Sequence, residues 1–331
     1  MIGADSCNNP AKPAPVDPYP DGPKITCPAP PSTVTAPTGA GASIQYGTAT
    51  AIGGAPPINT TCTPASGANF IVGTTLVTCV ATDSRQRTDQ CTFNVVVQQP
   101  ARLTSTSFVA FGDSITAGED GRVALIAPAA AARPRLLLPA SQTYPGVLEQ
   151  LLRGRYTTQT PTVANSGLPG EKAGASATLT RFSNTLSLDN FQVVLIMEGS
   201  NDIVDRDSGE IPAAIQGLRN MIQMAKGRNV RPLLATIPPM VPNTQRGLAW
   251  SLVSPLNGNI RTLASSENVP LVDVEAAFGT AYEQYIGADG LHPNPQGYAK
   301  IADTFFGVIR STLESPTTTS ATLQIRSGRR R

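Results

Sequence analysis

The stretch Phe191-Gln192-Val193-Val194-Leu195-Ile196-Met197 constrains the fold more than any other part of the chain. It is apolar almost without interruption. A strand with one face in water alternates polar and apolar residues. A strand that does not alternate is buried on both faces, the signature of a parallel sheet covered by helices on both sides. The surrounding sequence alternates strand and helix in the same way. Phe108–Phe111 reads as a first strand. Tyr144–Tyr156 carries Val147, Leu148, Leu151 and Leu152 at helical spacing. Thr162–Asn165 reads as the second strand and Phe191–Met197 as the third. Ile211–Lys226 is predicted to be a helix stopped by Gly227. Arg231–Ile237 is the expected fourth strand. Leu248–Asn268 is mostly helical, with Pro255 expected to break or restart it. Val269–Val274 is the expected fifth strand. Asn294–Leu313 closes the series as a helix with Pro295 and Gln296 at its start. Strands joined by helical crossovers make an α/β fold, a three-layer α/β/α sandwich around a five-stranded parallel sheet.

The first hundred residues follow other rules. Pro10, Pro13, Pro15, Pro18, Pro20 and Pro23 exclude helix and sheet ladder and favour an extended spacer, either a stalk or an inert terminus. From Lys24 to Gln99, segments such as Ser43–Gly47, Phe70–Gly73, Thr75–Thr82 and Cys91–Val97 are rich in β-branched and aromatic residues. Turn residues separate them, which predicts a small antiparallel all-β sandwich. The expected organisation is a Pro-rich linker at 1–23, the β-sandwich at 24–99, a linker at 100–106, the α/β domain at 107–314 and a disordered Ser/Thr-rich tail at 315–331. Cys27, Cys62, Cys79 and Cys91 all lie in the sandwich segment and Cys7 precedes them. With no C-x-x-C and one distant His, there is no zinc-type ligand set, so the clustered cysteines read as two disulfides and imply export to an oxidising compartment. A net charge of +2 without basic blocks before the Arg329–Arg331 tail argues against a nucleic-acid partner. The longest apolar stretch, Val123–Ala132, is broken by Pro128 and too short to span a bilayer. Cys7 before a Pro-rich run resembles the lipid-bearing start of a bacterial lipoprotein, although Ala4-Asp5-Ser6 is a poor cleavage box; the alternative is a free thiol.

His292 is the only histidine, so a neutral-pH base has one address. Asp289, three residues earlier, is placed to fix its tautomer. In open parallel sheets, ligands bind beyond the carboxyl ends of the strands. Four polar clusters fall there in order: Gly112-Asp113-Ser114 after the first strand, Asn165-Ser166-Gly167-Leu168-Pro169-Gly170 after the second, Gly199-Ser200-Asn201-Asp202 after the third, and Asp289-Gly290-Leu291-His292-Pro293 beyond the fifth. Each has a plain alternative. A histidine before proline is commonly a loop residue, Gly167 can be a turn glycine, Asn201 or Asp202 can cap a helix, and Asp113 can bond local backbone.

Together, over Ser107 to about Leu313, these four blocks resemble the SGNH hydrolases, the GDSL-type esterases, which implies a flavodoxin-like sheet and no cofactor or metal. The resemblance makes Ser114 the nucleophile, with Asp289 and His292 completing a triad. It makes Ser114, Gly167 and Asn201 the oxyanion donors, with Ser200 standing where many members have Thr. No G-x-S-x-G of the α/β-hydrolases is present. The implied activity is hydrolysis of a carboxylic ester through an acyl-enzyme, with short-chain esters or O-acetylated carbohydrate favoured. A lysophospholipase or lipase is the first alternative. A non-catalytic adhesive or glycan-binding protein is the second. The apolar and basic insertion Glu119–Ser141 is expected to form either a lid or an extra helix on the sheet edge. Upstream, Ile25-Thr26-Cys27-Pro28, Cys62–Thr75, Val77–Asp83 and Cys91–Val97 resemble a hyalin repeat (HYR) domain, which implies an immunoglobulin-like fold with cell-surface or carbohydrate contact. Four cysteines allow three connectivities. Within the resemblance the favoured one pairs Cys27 with Cys91 and Cys62 with Cys79.

Overall fold

The computed structural model describes residues 16–121 and 136–315. The lipidation expected at Cys7, the start of the Pro-rich segment, the middle of the Glu119–Ser141 insertion and nearly all of the C-terminal tail lie outside the described residues. The chain divides into two compact units, one ending at Pro100 and the next beginning at Ala101.

The first unit is β-rich. Its strands are β1 (Pro23–Thr26), β2 (Val34–Thr35), β3 (Ala42–Ser43), β4 (Thr50–Gly53), β5 (Asn59–Thr63), β6 (Asn69–Phe70), β7 (Gly73–Thr82) and β8 (Thr88–Gln98). They form a four-stranded sheet in the order β2-β8-β7-β5 and two separate pairs, β1-β4 and β3-β6. The expectation of purely antiparallel pairing is corrected at one edge, where β2 runs parallel to β8. Pro28, Pro30 and Pro31 lie in the segment between β1 and β2, where no ladder forms. β7 turns Val77, Cys79 and Ala81 inward and β8 turns Phe93, Val95 and Val97 inward, the period of two expected of strands with one covered face. Tyr46 meets Phe93 edge-on at 5.0 Å and closes this core. Cys62 is bonded to Cys79, its direct neighbour across the β5–β7 ladder, and Cys27, one residue beyond β1, is bonded to Cys91 on β8.

The second unit is a five-stranded parallel sheet with helices on both faces. Its strands are β9 (Ser107–Gly112), β10 (Thr162–Gly167), β11 (Val193–Met197), β12 (Arg231–Ala235) and β13 (Leu271–Val272), in the order β10-β9-β11-β12-β13. Every residue of β11 is buried, which is why it cannot alternate. Successive residues of a strand feed opposite cores. Phe108 and Ala110 pack with α2 (Tyr144–Arg155) and α7 (Pro295–Leu313), where Tyr144 and Phe305 stack at 5.3 Å. Val109 and Phe111 pack with α3 (Ser176–Leu188), α4 (Ile211–Gly227) and α5 (Trp250–Ser266). On α4 the buried residues Ala214, Leu218, Met221, Ile222 and Ala225 keep helical spacing.

Three local expectations are revised. Pro255 lies within α5 without ending it. It sits on the exposed face, as does Ser251, whose carbonyl it deprives of a partner, so the lost bond falls on the solvent side of the helix. The fifth strand is only Leu271–Val272, because the Asp273 side chain accepts from Ala276 N–H and starts α6 (Val274–Phe278). Gly227 is the last residue of α4 rather than its stop.

The chain leaves β9 for β10 on one side and then crosses to β11 on the other. The sheet order therefore reverses beside β9, and a crevice opens at the carboxyl ends of β9, β10 and β11. Register aligns these ends: Gly112 pairs with Gly167 on one side and Met197 on the other.

Candidate active site

Ser114 is the first residue of α1 (Ser114–Ala117), a single turn directly after β9. Asp113 caps that turn, its Oδ1 accepting from Ile115 N–H at 2.8 Å. Burial pushes the Asp113 carboxyl up to about 6, against the pull of that hydrogen bond. The Ser114 hydroxyl lies 2.8 Å from His292 Nε2, although the two residues are 178 apart in sequence. His292 Nδ1–H donates to Asp289 Oδ2 at 2.6 Å, which leaves Nε2 to accept from the serine. Asp289 Oδ1 accepts from the backbone N–H groups of Leu291 and His292, both at 3.0 Å. Burial raises the Asp289 carboxyl, but the hydrogen bonds from His292 and the backbone outweigh it and hold the group below its ordinary value.

The histidine loop is fixed from several sides. Gly287 N–H donates to the His292 carbonyl at 2.8 Å and Asn294 N–H to the Tyr285 carbonyl at 3.0 Å. Asn294 then caps α7. Gly290 has φ +83°, and a Cβ there would fall 1.6 Å from Thr244 Oγ1, so only glycine fits. Arg246 N–H donates to the Asp289 carbonyl at 2.8 Å, tying this loop to the one after β12.

Across the crevice, Asn201 Nδ2 donates to the Glu171 carbonyl at 2.9 Å and lies 3.5 Å from Asp113 Oδ2. Asp202 caps no helix. Its carboxylate accepts from the N–H groups of Ala173 and Gly174 at 2.8 and 2.9 Å and so binds the loop after β11 to the loop after β10. Gly167 sits on β10 with its N–H donated to Asn165 Oδ1 at 2.9 Å, and a Cβ there would lie 2.0 Å from the Ala117 nitrogen. Its smallness therefore serves close packing against α1, and its N–H is engaged. Farther along the same loop Gly170 adopts φ +86°, directly before the Glu171 carbonyl that holds Asn201. Among the described residues the N–H groups of Gly170 and Ser114 donate to nothing in the chain.

Several groups here went unread in the sequence. Glu119 Oε2 lies 3.6 Å from His292 Nε2, and Glu119 Oε1 accepts from Arg246 at 3.0 Å. Tyr298 O–H donates to the Glu119 carbonyl at 2.7 Å. Glu198, the residue after β11, is wholly buried, and neither of its carboxyl oxygens has a hydrogen-bond partner among the described residues. Burial, then the nearby Asp113 and Glu171 carboxylates, push it well above the ordinary range, so it holds its proton. Arg181 clasps the Glu171 carboxylate, donates to the Ser166 carbonyl at 2.9 Å, and lies 3.8 Å over the Phe111 ring. The sequence signal for Glu198 was an acid closing an otherwise buried apolar strand. Arg181 and Arg246 carried no local signal.

The insertion after the nucleophile turn begins and ends at one place. Asp120 N–H donates to the Leu136 carbonyl and Leu138 N–H to the Gly118 carbonyl, both at 2.8 Å. Residues 122–135, on which the lid expectation turns, lie outside the described residues.

Residues 110–300 match the GDSL-like Lipase/Acylhydrolase family, and residues 17–97 match the HYR domain. No curated protein matches the chain. Solved structures do. A putative arylesterase from Agrobacterium tumefaciens str. C58 is 24% identical with a TM-score of 0.50, covering 62% of this chain and 98% of its own. A lipase/acylhydrolase from Enterococcus faecalis is 20% identical with a TM-score of 0.51, covering 62% and 96%. A carbohydrate acetylesterase from Sinorhizobium meliloti is 19% identical with a TM-score of 0.50, covering 62% and 98%. At these identities the likeness is one of fold.

Proposed function

The chain belongs to the GDSL-like lipase/acylhydrolase family, and on that premise we propose that it is an exported serine esterase acting through a Ser114–His292–Asp289 triad and an acyl-enzyme. The observation that carries this reading is the unbroken hydrogen-bond chain from Ser114 Oγ through His292 to Asp289. Ser114 Oγ attacks the ester carbonyl while His292 Nε2 takes its proton. The imidazolium that forms is stabilised by Asp289 and then protonates the departing alcohol. Water repeats the sequence on the acyl-enzyme and restores Ser114.

Charge develops on the carbonyl oxygen in both steps. The Ser114 N–H and the Asn201 amide, one of whose hydrogens is taken by Glu171, support a role as donors to it. The engaged N–H of Gly167 weighs against the third role expected for that residue. Gly170, beside the Asn201 contact and with its N–H without a partner among the described residues, is assigned that role in its place.

The two disulfides of the HYR domain support export, and no helix among the described residues is long and apolar enough to cross a membrane. Solved arylesterase and carbohydrate acetylesterase relatives in fold support a short acyl group, and an HYR domain beside the hydrolase domain suits a glycan-linked ester. The test is p-nitrophenyl ester hydrolysis across acyl lengths from acetate to palmitate, wild type beside Ser114→Ala. Turnover on acetate that vanishes in the variant is expected. Preference for long chains would replace the deacetylase reading with a lipase. No turnover on any ester would move the weight to glycan binding.

A further inference from the structure

We propose that Arg181 is a positioning residue, whose guanidinium sets the geometry of the oxyanion donors by clamping the turn at 168–171; this rests on the esterase reading above. Oxyanion donors act only if they already stand where the carbonyl oxygen will be when its charge develops. Here they come from segments that leave three different strands: Ser114 after β9, Gly170 after β10 and Asn201 after β11. Gly170 adopts φ +86°, a conformation natural to glycine alone, and glycine brings the turn no side chain to anchor it. The turn must be held from outside.

Arg181 holds it from α3, and every N–H of its guanidinium has an acceptor. Nε–H donates to Glu171 Oε1 at 2.8 Å. Nη2 donates to Glu171 Oε2 and, at 3.3 Å, to the Gly112 carbonyl. Nη1 donates to the Ser166 carbonyl at 2.9 Å and to the Ser166 hydroxyl at 3.0 Å. The buried Phe111 ring lies 3.8 Å from the guanidinium carbon and forms its floor. One cation thus fastens the last residue of β9, the last but one of β10 and the end of the turn. The Glu171 carboxylate alone would satisfy a salt bridge; the other donors go to the strand ends that frame the crevice. A lysine cannot replace this, because its ammonium is a single point with three donors and no planar fork.

The turn passes the restraint on to the donors. At its start Leu168 N–H donates to the same Gly112 carbonyl at 2.8 Å, and Glu171 N–H closes the turn onto the Leu168 carbonyl at 3.2 Å. The Glu171 carbonyl then accepts from Asn201 Nδ2 at 2.9 Å. Glu171 is therefore gripped by its carboxylate and itself grips the amide, so any rotation of its backbone moves Gly170 and Asn201 together. Asp202 ties the same two loops a second time, through Ala173 and Gly174. Loss of the Arg181 fork is thus expected to loosen the donors while the crevice stays assembled.

A double-mutant cycle on p-nitrophenyl acetate hydrolysis by the full chain tests this. Wild type and Ser114→Ala are run first. If wild type releases no nitrophenolate, or Ser114→Ala turns over like wild type, it is the esterase reading that fails, and the proposal with it. Given an active wild type, Arg181→Lys keeps the charge beside Glu171 and loses the fork. It is expected to lower kcat about ten- to a hundredfold, because misplaced donors weaken the transition state. KM is expected to stay within about twofold, because the ground-state carbonyl asks little of those donors. If Arg181 acts through Asn201, the same change made in Asn201→Ala has less left to disturb, and kcat is expected to fall there by less than about threefold. A residue that merely stabilises the fold would cost the same factor in both backgrounds. Should Arg181→Lys not fold, Glu171→Gln breaks the same grip from its other side and takes its place in the cycle. A kcat within about threefold of wild type, or an equal loss with and without the Asn201 amide, overturns the proposal.

Discussion

Replacing Asn201 by alanine removes a single amide, and the structure separates its two consequences. The first is catalytic. As an oxyanion donor, Asn201 acts where charge appears only in the transition state, and losing one such donor lowers turnover by about 10²–10³, equivalent to about 3–4 kcal/mol. The second is structural. Asn201 Nδ2 also donates to the Glu171 carbonyl at 2.9 Å, and that acceptor is left without its partner. A lost hydrogen bond of this kind costs about 1 kcal/mol, or roughly 2–4 °C in melting temperature for a unit of this size. Initial rates on p-nitrophenyl acetate read the first consequence, with KM nearly unchanged because the ground-state carbonyl carries little charge. A thermal melt reads the second. Asn201→Asp sharpens the contrast. It keeps the shape but sets a second carboxyl group about where Nδ2 lies 3.5 Å from Asp113 Oδ2, where two like charges repel by about 5 kcal/mol at an intermediate effective dielectric. It should be as inactive as the alanine variant at neutral pH. An alanine variant with turnover within about threefold of wild type would remove Asn201 from the oxyanion site. One that lost turnover only in step with its melting temperature would reduce it to a structural role.

Glu198→Gln tests the buried acid beneath the crevice. The folded protein raises Glu198 above its ordinary 4.5, so the stability contributed by its retained proton is full below that value and is lost as pH rises toward the folded one. Glutamine has no proton to lose. The variant should melt like wild type at about pH 4 and above it at about pH 8, whereas a difference independent of pH would contradict the assignment of a neutral acid. Reducing the disulfides, which close loops of 17 and 64 residues, should remove about 3 and 4 kcal/mol if each is considered alone. The N-terminal unit should therefore unfold at a lower temperature while p-nitrophenyl acetate turnover persists. Simultaneous loss of turnover on mild reduction would show that the hydrolase unit depends on its neighbour.

The architecture could be read because its strands and helices carry strong periodic signals. β11 betrays a doubly covered sheet by failing to alternate, and α4 shows its buried stripe at Ala214, Leu218, Met221 and Ala225. The boundaries that shifted are those governed by single side chains. Asp273 converts the end of an apolar run into a helix cap, and Pro255 survives inside α5 because it faces water. The loops carrying Ser114, Asn201, Asp289 and His292 were legible because polar clusters at strand ends stand out against apolar strands. Glu119, Arg246, Glu198 and Arg181 were not, since their surroundings come from remote segments. Arg246 reaches Glu119 across 127 positions, and nothing near either residue announces the other. Gly167 shows a further limit. A glycine in the right block does not tell whether its N–H is available, and here Asn165 occupies it.

The cysteines of the first unit stand closer together than their pairing requires. Cys79 faces Cys62 across one edge of β7 and Cys91 across the other, and the sulfurs of Cys27, Cys79 and Cys91 lie within 4.8 Å of one another. Strand register therefore offers Cys79 two cross-strand neighbours, only one of which leaves Cys27 a partner. An oxidant acting on the reduced chain can seal Cys79 to Cys91 without disturbing the β7–β8 ladder, stranding the other two thiols. Escape from that trap needs attack by one of the stranded thiolates on the wrong bond. An isomerase or a thiol buffer would speed that exchange, so the yield of correctly paired protein is expected to rise when either is supplied beside the oxidant.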